Sequence, residues 1–296
     1  MTPDEPDILG EADLARVCDL LYGHTGILVP GNRRPFIERR VLERMRATGA
    51  GTLPAYLARL RADTDGEVQL FVNAFTVNET YFLREEHQLR CLTASLMGVL
   101  TAGRTPDDPI RIWSMPCATG EEPYSVAIWL LEHWPEVDRW EIEIVGSDID
   151  TRALATAEAG RYGARALGRL SPALVARYFT PGAAGSGGKG GGKGGGKSWR
   201  ILPELRGSVR FTRRNLVDGA GMAREGRFDV VFCRNVLIYF DDASRKVAAG
   251  NLFAALKPGG FLCLGHTESM ARIPSRFVTR RFPDAIVYQR PEDAHD

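Results

Sequence analysis

The segment IRIWSMPCATGEEPYSVAIWLLE, residues 110–132, constrains the fold of this chain more than any other stretch. Ile110, Ile112 and Trp113 form a short apolar run of strand type, whereas Tyr124, Ala127, Ile128 and Leu131 recur at helical spacing. A strand that passes through a glycine-containing loop into a helix is the first half of a nucleotide-binding βαβ unit, with the ligand at the carboxyl end of the strand. Glu121 and Glu122 open the helix, where a phosphate site needs bare amides and an unopposed positive dipole. The loop is therefore expected to hold a cation. S-adenosylmethionine fits, because it carries a sulfonium and an ammonium, no phosphate, and a ribose that wants a carboxylate. Asp148, ending the next expected strand at residues 141–149, supplies that carboxylate.

The same alternation continues toward the carboxyl terminus. Strands are expected at 209–212, 228–233 and 261–265, and helices at 151–159, from Ser171-Pro172 to about 179, and at 243–256, the last ended by Lys257-Pro258-Gly259-Gly260. Thr151 and Ser171 are the expected N-caps. Two further strands, 277–281 and 285–289, are close enough to pair as a hairpin. This pattern implies an α/β, Rossmann-like fold with a mixed seven-stranded sheet, mainly parallel and covered on both faces, in the layout of class I methyltransferases. By the switch-point rule the ligand lies beyond the first, second and fourth strands, whose ends carry residues 114–120, Asp148 and Arg234-Asn235. Glu122 either pairs with the ligand's cationic end or favours the helix N-terminus through the macrodipole. Asn215 and Leu216, ending the third strand, either bracket adenine or make a simple turn.

Residues 1–76 read as a small helical domain, with helices at 13–22, 33–48, 53–61 and 67–75 separated by Gly, Pro and Asn. On the second helix Arg33, Arg40 and Arg44 form a basic stripe beside an apolar one. Within residues 33–46 there are six arginines against two glutamates, which describes either a solvated face or a docking surface for an acidic helical partner. Residues 77–86 connect the domains, and Asn78, Thr80 and Arg84 are placed to serve a nucleotide site from outside the sheet. Between 182 and 198 ten of seventeen residues are Gly and three are Lys, a composition expected to stay flexible. GGKGGGKS at 191–198 meets the P-loop pattern by composition alone, since no strand precedes it.

Several classes of function are disfavoured. A formal charge of +1 over 296 residues gives no bulk attraction to nucleic acid or membrane. Five widely spaced cysteines without Cys-x-x-Cys read as reduced thiols, and five scattered histidines point to neither a metal site nor a histidine base. The longest apolar run, 126–131, falls far short of the ~20 residues that a membrane span needs. With nothing resembling a signal peptide, the expected location is cytoplasmic. Methyl transfer to a carboxylate suits such a site, because a glutamate with a pKa near 4.3 is already more than ~99% ionised at pH 7 and needs position rather than a base.

Taken jointly, VNETYFLRE, TGEEPYSVAIWL, SDIDTRALATAEAGRY, FDVVFCRNVLIYFDD and LKPGGFLCLGHTES resemble the bacterial chemotaxis receptor glutamate O-methyltransferases, in that family's order across most of residues 70–270. The resemblance implies an N-terminal helical docking domain over 1–76, a cofactor-binding domain over 87–296, and a small β-subdomain inserted at about 177–208. It implies S-adenosylmethionine contacts from Asn78, Thr80, Arg84, Glu122, Asp148, Asn215, Leu216, Arg234 and Asn235, with S-adenosylhomocysteine as product. It places Arg84 and Tyr239 near the transferred methyl and the acceptor carboxylate, and it favours the docking role for Arg33, Arg40 and Arg44. The implied partner is the cytoplasmic signalling domain of a chemoreceptor, with the enzyme acting as a monomer. The competing readings are a related methyltransferase with another acceptor and a non-enzymatic cofactor-binding adaptor. Met115-Pro116 departs from the small residues usual in the family at those positions.

Overall fold

The computed structural model describes residues 9–30, 33–182 and 197–292. Two compact units are present, one formed by residues 1–77 with 239–244 and one by 78–238 with 245–296.

In the first unit, α1 (Glu11–Thr25), α2 (Arg34–Thr48), α3 (Leu53–Ala62) and α4 (Glu67–Phe75) pack around Val17, Leu21, Ile37, Tyr56 and Phe71. Gly26 and Gly49 end α1 and α2 in the left-handed conformation, which glycine adopts without a Cβ penalty. Residues 239–244 join this unit through Leu28 N–H to Tyr239 O (2.9 Å), an isolated bridge between Ile27 and Phe240, and the Tyr22 hydroxyl donating to Asp241 (3.0 Å).

The three arginines expected to form one stripe occupy three different environments. Arg33 is exposed and precedes α2 at its N-cap. Arg40 lies over the Phe36 ring at 5.4 Å and pairs with Glu43 at 3.2 Å. Arg44 donates through Nε (2.9 Å) and Nη2 (2.6 Å) to the two oxygens of Glu67, whose side chain is only 3% exposed and also accepts the Tyr56 hydroxyl at 2.8 Å. Burial and this bond raise the Tyr56 hydroxyl pKa well above the phenol range. Arg44 thus ties α2 to α4 rather than facing a partner. The helical wheel placed it beside the apolar stripe but could not reveal the glutamate 23 residues away.

The second unit is built on a seven-stranded sheet of β1 (Ile110–Ser114), β2 (Ile142–Asp148), β6 (Val209–Arg213), β7 (Phe228–Cys233), β8 (Leu256–Leu264), β9 (Val278–Arg281) and β10 (Ile286–Gln289), in the order β6-β2-β1-β7-β8-β10-β9. The first five strands in that order run parallel, and β10 pairs antiparallel with both β8 and β9. Ser114, the last residue of β1, stands opposite Gly146 and Phe232, so β2 runs on to Asp148 and β7 to Cys233 just beyond it. These strand ends make the switch point. Helices Glu121–His133 and Thr151–Ala159 cross between β1, β2 and the following elements.

Three local expectations change. The N-cap of helix Thr151–Ala159 is Asp150, not Thr151, because the Asp150 carboxylate reaches the N–H of both Arg152 (2.8 Å) and Ala153 (3.3 Å). Lys257-Pro258-Gly259-Gly260 lies inside β8, where it accommodates an irregularity in the β7–β8 register. The small antiparallel sheet, β3-β5-β4, recruits β3 (Arg161–Gly163) ahead of the expected insertion, alongside β4 (Phe179–Pro181) and β5 (Ser198–Ile201). Three residues are too few to show a strand period. Ser171 caps helix Pro172–Tyr178 as expected. Most of the glycine-rich segment expected at 182–198, residues 183–196, lies outside the described residues.

Glu67→Ala is expected to destabilise the chain by about 3 kcal/mol, because it leaves a partly buried guanidinium and a buried hydroxyl without their acceptor. Urea unfolding measures this directly, and a loss below ~1 kcal/mol would remove the pair as a tie between α2 and α4.

Candidate cofactor site

The loop after β1 is shaped by backbone bonds to both neighbouring strands. Met115 N–H donates to Phe232 O and Cys117 N–H to Ser147 O, each at 2.8 Å, and the Met115–Pro116 peptide is cis. Gly120, at φ 94°, brings the loop against helix Thr151–Ala159, and a Cβ there would lie 2.7 Å from Ala157 Cβ. Only glycine meets both requirements.

Glu122, on the first turn after this loop, accepts the Ser114 hydroxyl at 2.7 Å, and its other oxygen lies 3.2 Å from Arg234 Nε. Burial pushes the Glu122 carboxyl up, while Arg234 and Ser114 hold against that rise. Asp148, 3% exposed at the end of β2, accepts Ala118 N–H (2.8 Å) on one oxygen and Asp150 N–H (2.9 Å) on the other. Its pKa is pushed up to about 6, chiefly by burial, with the backbone donors opposing the shift. Asp150 in turn accepts the Asn78 amide at 2.8 Å, which fastens the segment after residue 77 to the end of β2.

Arg234, 5% exposed at the end of β7, donates through Nη2 to Arg84 O. Glu85 lies 3.8 Å from Arg234 Nε and accepts from His266 Nδ1 (2.9 Å) and the Asn235 amide (3.4 Å). Burial opposes the charge on Glu85, yet His266, Arg234 and Asn235 together hold its carboxyl below the ordinary range. Four non-glycine residues with positive φ, Leu83 (58°), Glu85 (54°), Ala118 (47°) and Asn235 (59°), fall in these three loops. Such backbone strain concentrates at functional sites, where surrounding bonds over-determine the conformation.

Of the residues expected from sequence, Asn78 and Asp148 thus enter one bonded group and Glu122, Arg234, Asn235 and the Arg84 carbonyl a second, the two linked by the loop from Ala118 to Glu122. The carbonyl of Asp148 accepts Arg214 N–H at 3.1 Å, which brings the Asn215-Leu216 turn alongside. There Asn215 Oδ1 accepts Val217 N–H at 3.2 Å, and Leu216 is buried with its carbonyl bonded to Asn251. Thr80 is half-buried two residues after Asn78, and Arg84 reaches Glu79 O at 2.8 Å while its guanidinium lies 5.8 Å from the Tyr81 ring centroid. Tyr239 belongs to the first unit.

Sequence reasoning missed Glu85, Asp150, His266 and Glu268, and placed Ser114 only within the stretch 114–120 at the end of the first strand. Glu85 sits in LREE directly after Arg84, and His266 and Glu268 in GHTES, but nothing in the spacing joins stretches some 180 residues apart. Beside them, at the carboxyl end of β8, a cavity of about 490 Å³ is lined by His87, Gln88, His266, Glu268, Asp284 and Tyr288, among others.

The residues present fit S-adenosylmethionine. Asp148 is buried at the end of β2, and Glu122, 13% exposed at the side chain, stands on the first helical turn after the neighbouring strand with Arg234 already paired to it, so the carboxylates suit a cation and a diol. Asp148 would hold the ribose and Glu122 the cationic end. When bound, the cofactor supplies an electrophilic methyl on a sulfonium.

The raised pKa of Asp148 makes affinity depend on pH. A carboxyl whose folded pKa lies above its unfolded value of about 3.9 takes up a proton on folding, so the ligand-free fold gains stability from this group as pH falls from about 6 to about 4. Binding that needs the ionised form weakens over the same window. Calorimetric titration with S-adenosylhomocysteine is expected to show affinity falling up to ~tenfold per pH unit below about 6, and to show a flatter profile, together with a Kd raised ~tenfold to hundredfold at pH 7.5, in Asp148→Ala. A wild-type Kd constant from pH 7.5 to 5 would exclude Asp148 from the ligand site.

Comparison with known proteins places this geometry in a family. The chain is 41% identical over 285 residues to "Chemotaxis protein methyltransferase 2" of Vibrio cholerae serotype O1, covering 96% of this chain and 94% of that protein. It is 34% identical over 274 residues to "Chemotaxis protein methyltransferase" of Salmonella typhimurium, covering 92% and 88%, and 36% identical over 257 residues to "Chemotaxis protein methyltransferase 2" of Pseudomonas aeruginosa, covering 87% and 86%. Residues 12–76 match the all-alpha domain of the CheR methyltransferases and residues 78–286 their SAM binding domain, so that the chain belongs to the CheR methyltransferase family.

Proposed function

We propose that the protein methyl-esterifies glutamate side chains in the cytoplasmic helices of chemoreceptors. The observation that carries this reading is the placement of Arg84: its guanidinium donates to Glu79 O (2.8 Å), while Arg234, which donates to the Arg84 carbonyl, is taken up by Glu122 and Glu85. Arginine on the acceptor side suits an ionised carboxylate and would repel an amine or a basic substrate. The names of the relatives support a chemotaxis role.

In the proposed reaction a carboxylate oxygen of the acceptor forms a bond to the methyl carbon as the carbon–sulfur bond breaks. The products would be a neutral ester and a neutral thioether, so no residue of this chain has to take up a proton. This chain has to hold the two charges in line and keep water away, and Arg84 orients the acceptor carboxylate. Tyr239 is assigned to the acceptor side on the family resemblance. Neutralising receptor carboxylates is the chemical basis of adaptation in this reading.

Docking is assigned to the amino-terminal unit through Arg33 and Arg40, since Arg44 is taken up by Glu67. No described helix is long and apolar enough to cross a membrane.

Two measurements test the proposal. Incubation with labelled S-adenosylmethionine and a receptor cytoplasmic fragment is expected to give alkali-labile methyl ester. Alkali-stable label would mean another acceptor, and no label would favour a cofactor-binding adaptor. Replacing Arg33 and Arg40 with Glu is expected to slow receptor methylation at least ~tenfold in low salt, where the Debye length is about 10 Å at 0.1 M, while S-adenosylhomocysteine affinity stays within about twofold. A wild-type rate in the double variant would move docking to another surface.

A further inference from the structure

We infer that Glu268 is a positioning residue that sets the cofactor loop after β7. It lies in the GHTES turn just beyond β8, and its two oxygens collect four backbone amides. Oε2 accepts from Asn235 (2.6 Å) and Gly265 (2.9 Å), and Oε1 accepts from Val236 (2.9 Å) and Leu237 (2.7 Å). A carboxylate offers about four lone-pair sites, so this one is saturated by a single task. Three of the four donors are consecutive, which fixes the direction of the chain from 235 to 237 rather than capping one stray amide.

The anchored stretch carries a left-handed residue and a site arginine side by side. Asn235 is held at φ 59°, in the left-handed region that asparagine tolerates better than most L residues and that the four bonds to Glu268 fix here. Arg234, immediately before it, carries the guanidinium that faces Glu122 and Glu85. β7 and β8 are in register up to Cys233 and Leu264, so the two turns leave the sheet side by side and Glu268 reaches across only one strand spacing. Gly265 makes the approach possible: a Cβ there would lie 2.7 Å from Asn235 Nδ2 and 2.8 Å from Glu268 Oε2. Two positions, 265 and 268, therefore act on the same group of atoms by different means.

This inference rests on the reading that Arg234 and Asn235 serve the cofactor, and the test separates the two. Glu268→Gln keeps one acceptor oxygen but turns an NH2 group toward the remaining amides. Its S-adenosylhomocysteine Kd is expected to rise at least ~tenfold and kcat to fall at least ~tenfold, with KM for the receptor fragment within about twofold, all measured at a temperature where circular dichroism shows the variant folded. Gly265→Ala is expected to give the same pattern, and the double variant to be little worse than the poorer single one, because both displace the same loop. A merely structural cap would lower the unfolding temperature and leave the Kd and kcat of the folded protein unchanged. Glu268→Gln within twofold of wild type in both quantities, or fully additive losses in the double variant, would overturn the inference. Should Glu268→Gln not fold, Glu268→Asp and Gly265→Ala read out the same Kd and coupling. Arg234→Ala serves as the control: unchanged S-adenosylhomocysteine affinity there defeats the cofactor reading itself, whereas weakened affinity there with none in Glu268→Gln defeats only the positioning role.

Discussion

The structure of the candidate site depends on the electrostatics of two carboxylates, Glu122 on the first helical turn after β1 and Asp148 buried at the end of β2. Removing an ionised carboxylate from water is costly, and an unanswered one becomes neutral. Glu122 is answered by a guanidinium and a hydroxyl, Asp148 by two backbone N–H groups. Neither answer fully offsets burial, since both pKa values stay raised. The site therefore holds negative charge that is under-compensated in the ligand-free protein. A cation with a diol completes it, and a phosphate would worsen it. That physical asymmetry separates this βαβ unit from the phosphate-binding majority built on the same strand–loop–helix plan.

Carboxylates also act as scaffolding here. Asp148 gathers amides from two loops, Asp150 caps a helix and holds Asn78, and Glu268 gathers amides from the ends of β7 and β8. Each bond joins an ionised acceptor to backbone donors, the stronger class of hydrogen bond. The loops so fastened contain the strained residues Leu83, Glu85, Ala118 and Asn235. Strain of this kind persists only against a rigid frame, and the parallel strands provide one. A preorganised site of this type binds its ligand without a large ordering penalty.

Charge has a different role in the amino-terminal unit. A buried glutamate, Glu67, draws Arg44 and Tyr56 into one cluster, so an arginine that looks solvent-facing by periodicity becomes part of the core frame. Arg33 and Arg40 keep more of their surface, and the basic character of α2 is correspondingly reduced from three residues to two. Near-neutral overall charge hides both facts, because net charge reports neither pairing nor position.

The fold class was legible because it rests on short-range signals. Alternating strand and helix periods, the glycine at 120 and the closing hairpin each act within about a dozen residues, and together they leave one sheet layout. The positions of Asp148, Arg234 and Asn235 at strand ends were legible for the same reason, since strand and loop boundaries are short-range signals. What the sequence could not determine is pairing across long separations. Arg44 with Glu67 is joined only when helices pack, and Asn78 with Asp150, Arg234 with Glu122, and Glu268 with the loop after β7 only when the sheet brings distant turns together. Hydrogen bonds and ion pairs act over about 3 Å, a distance that periodicity and spacing do not encode and that tertiary packing alone decides.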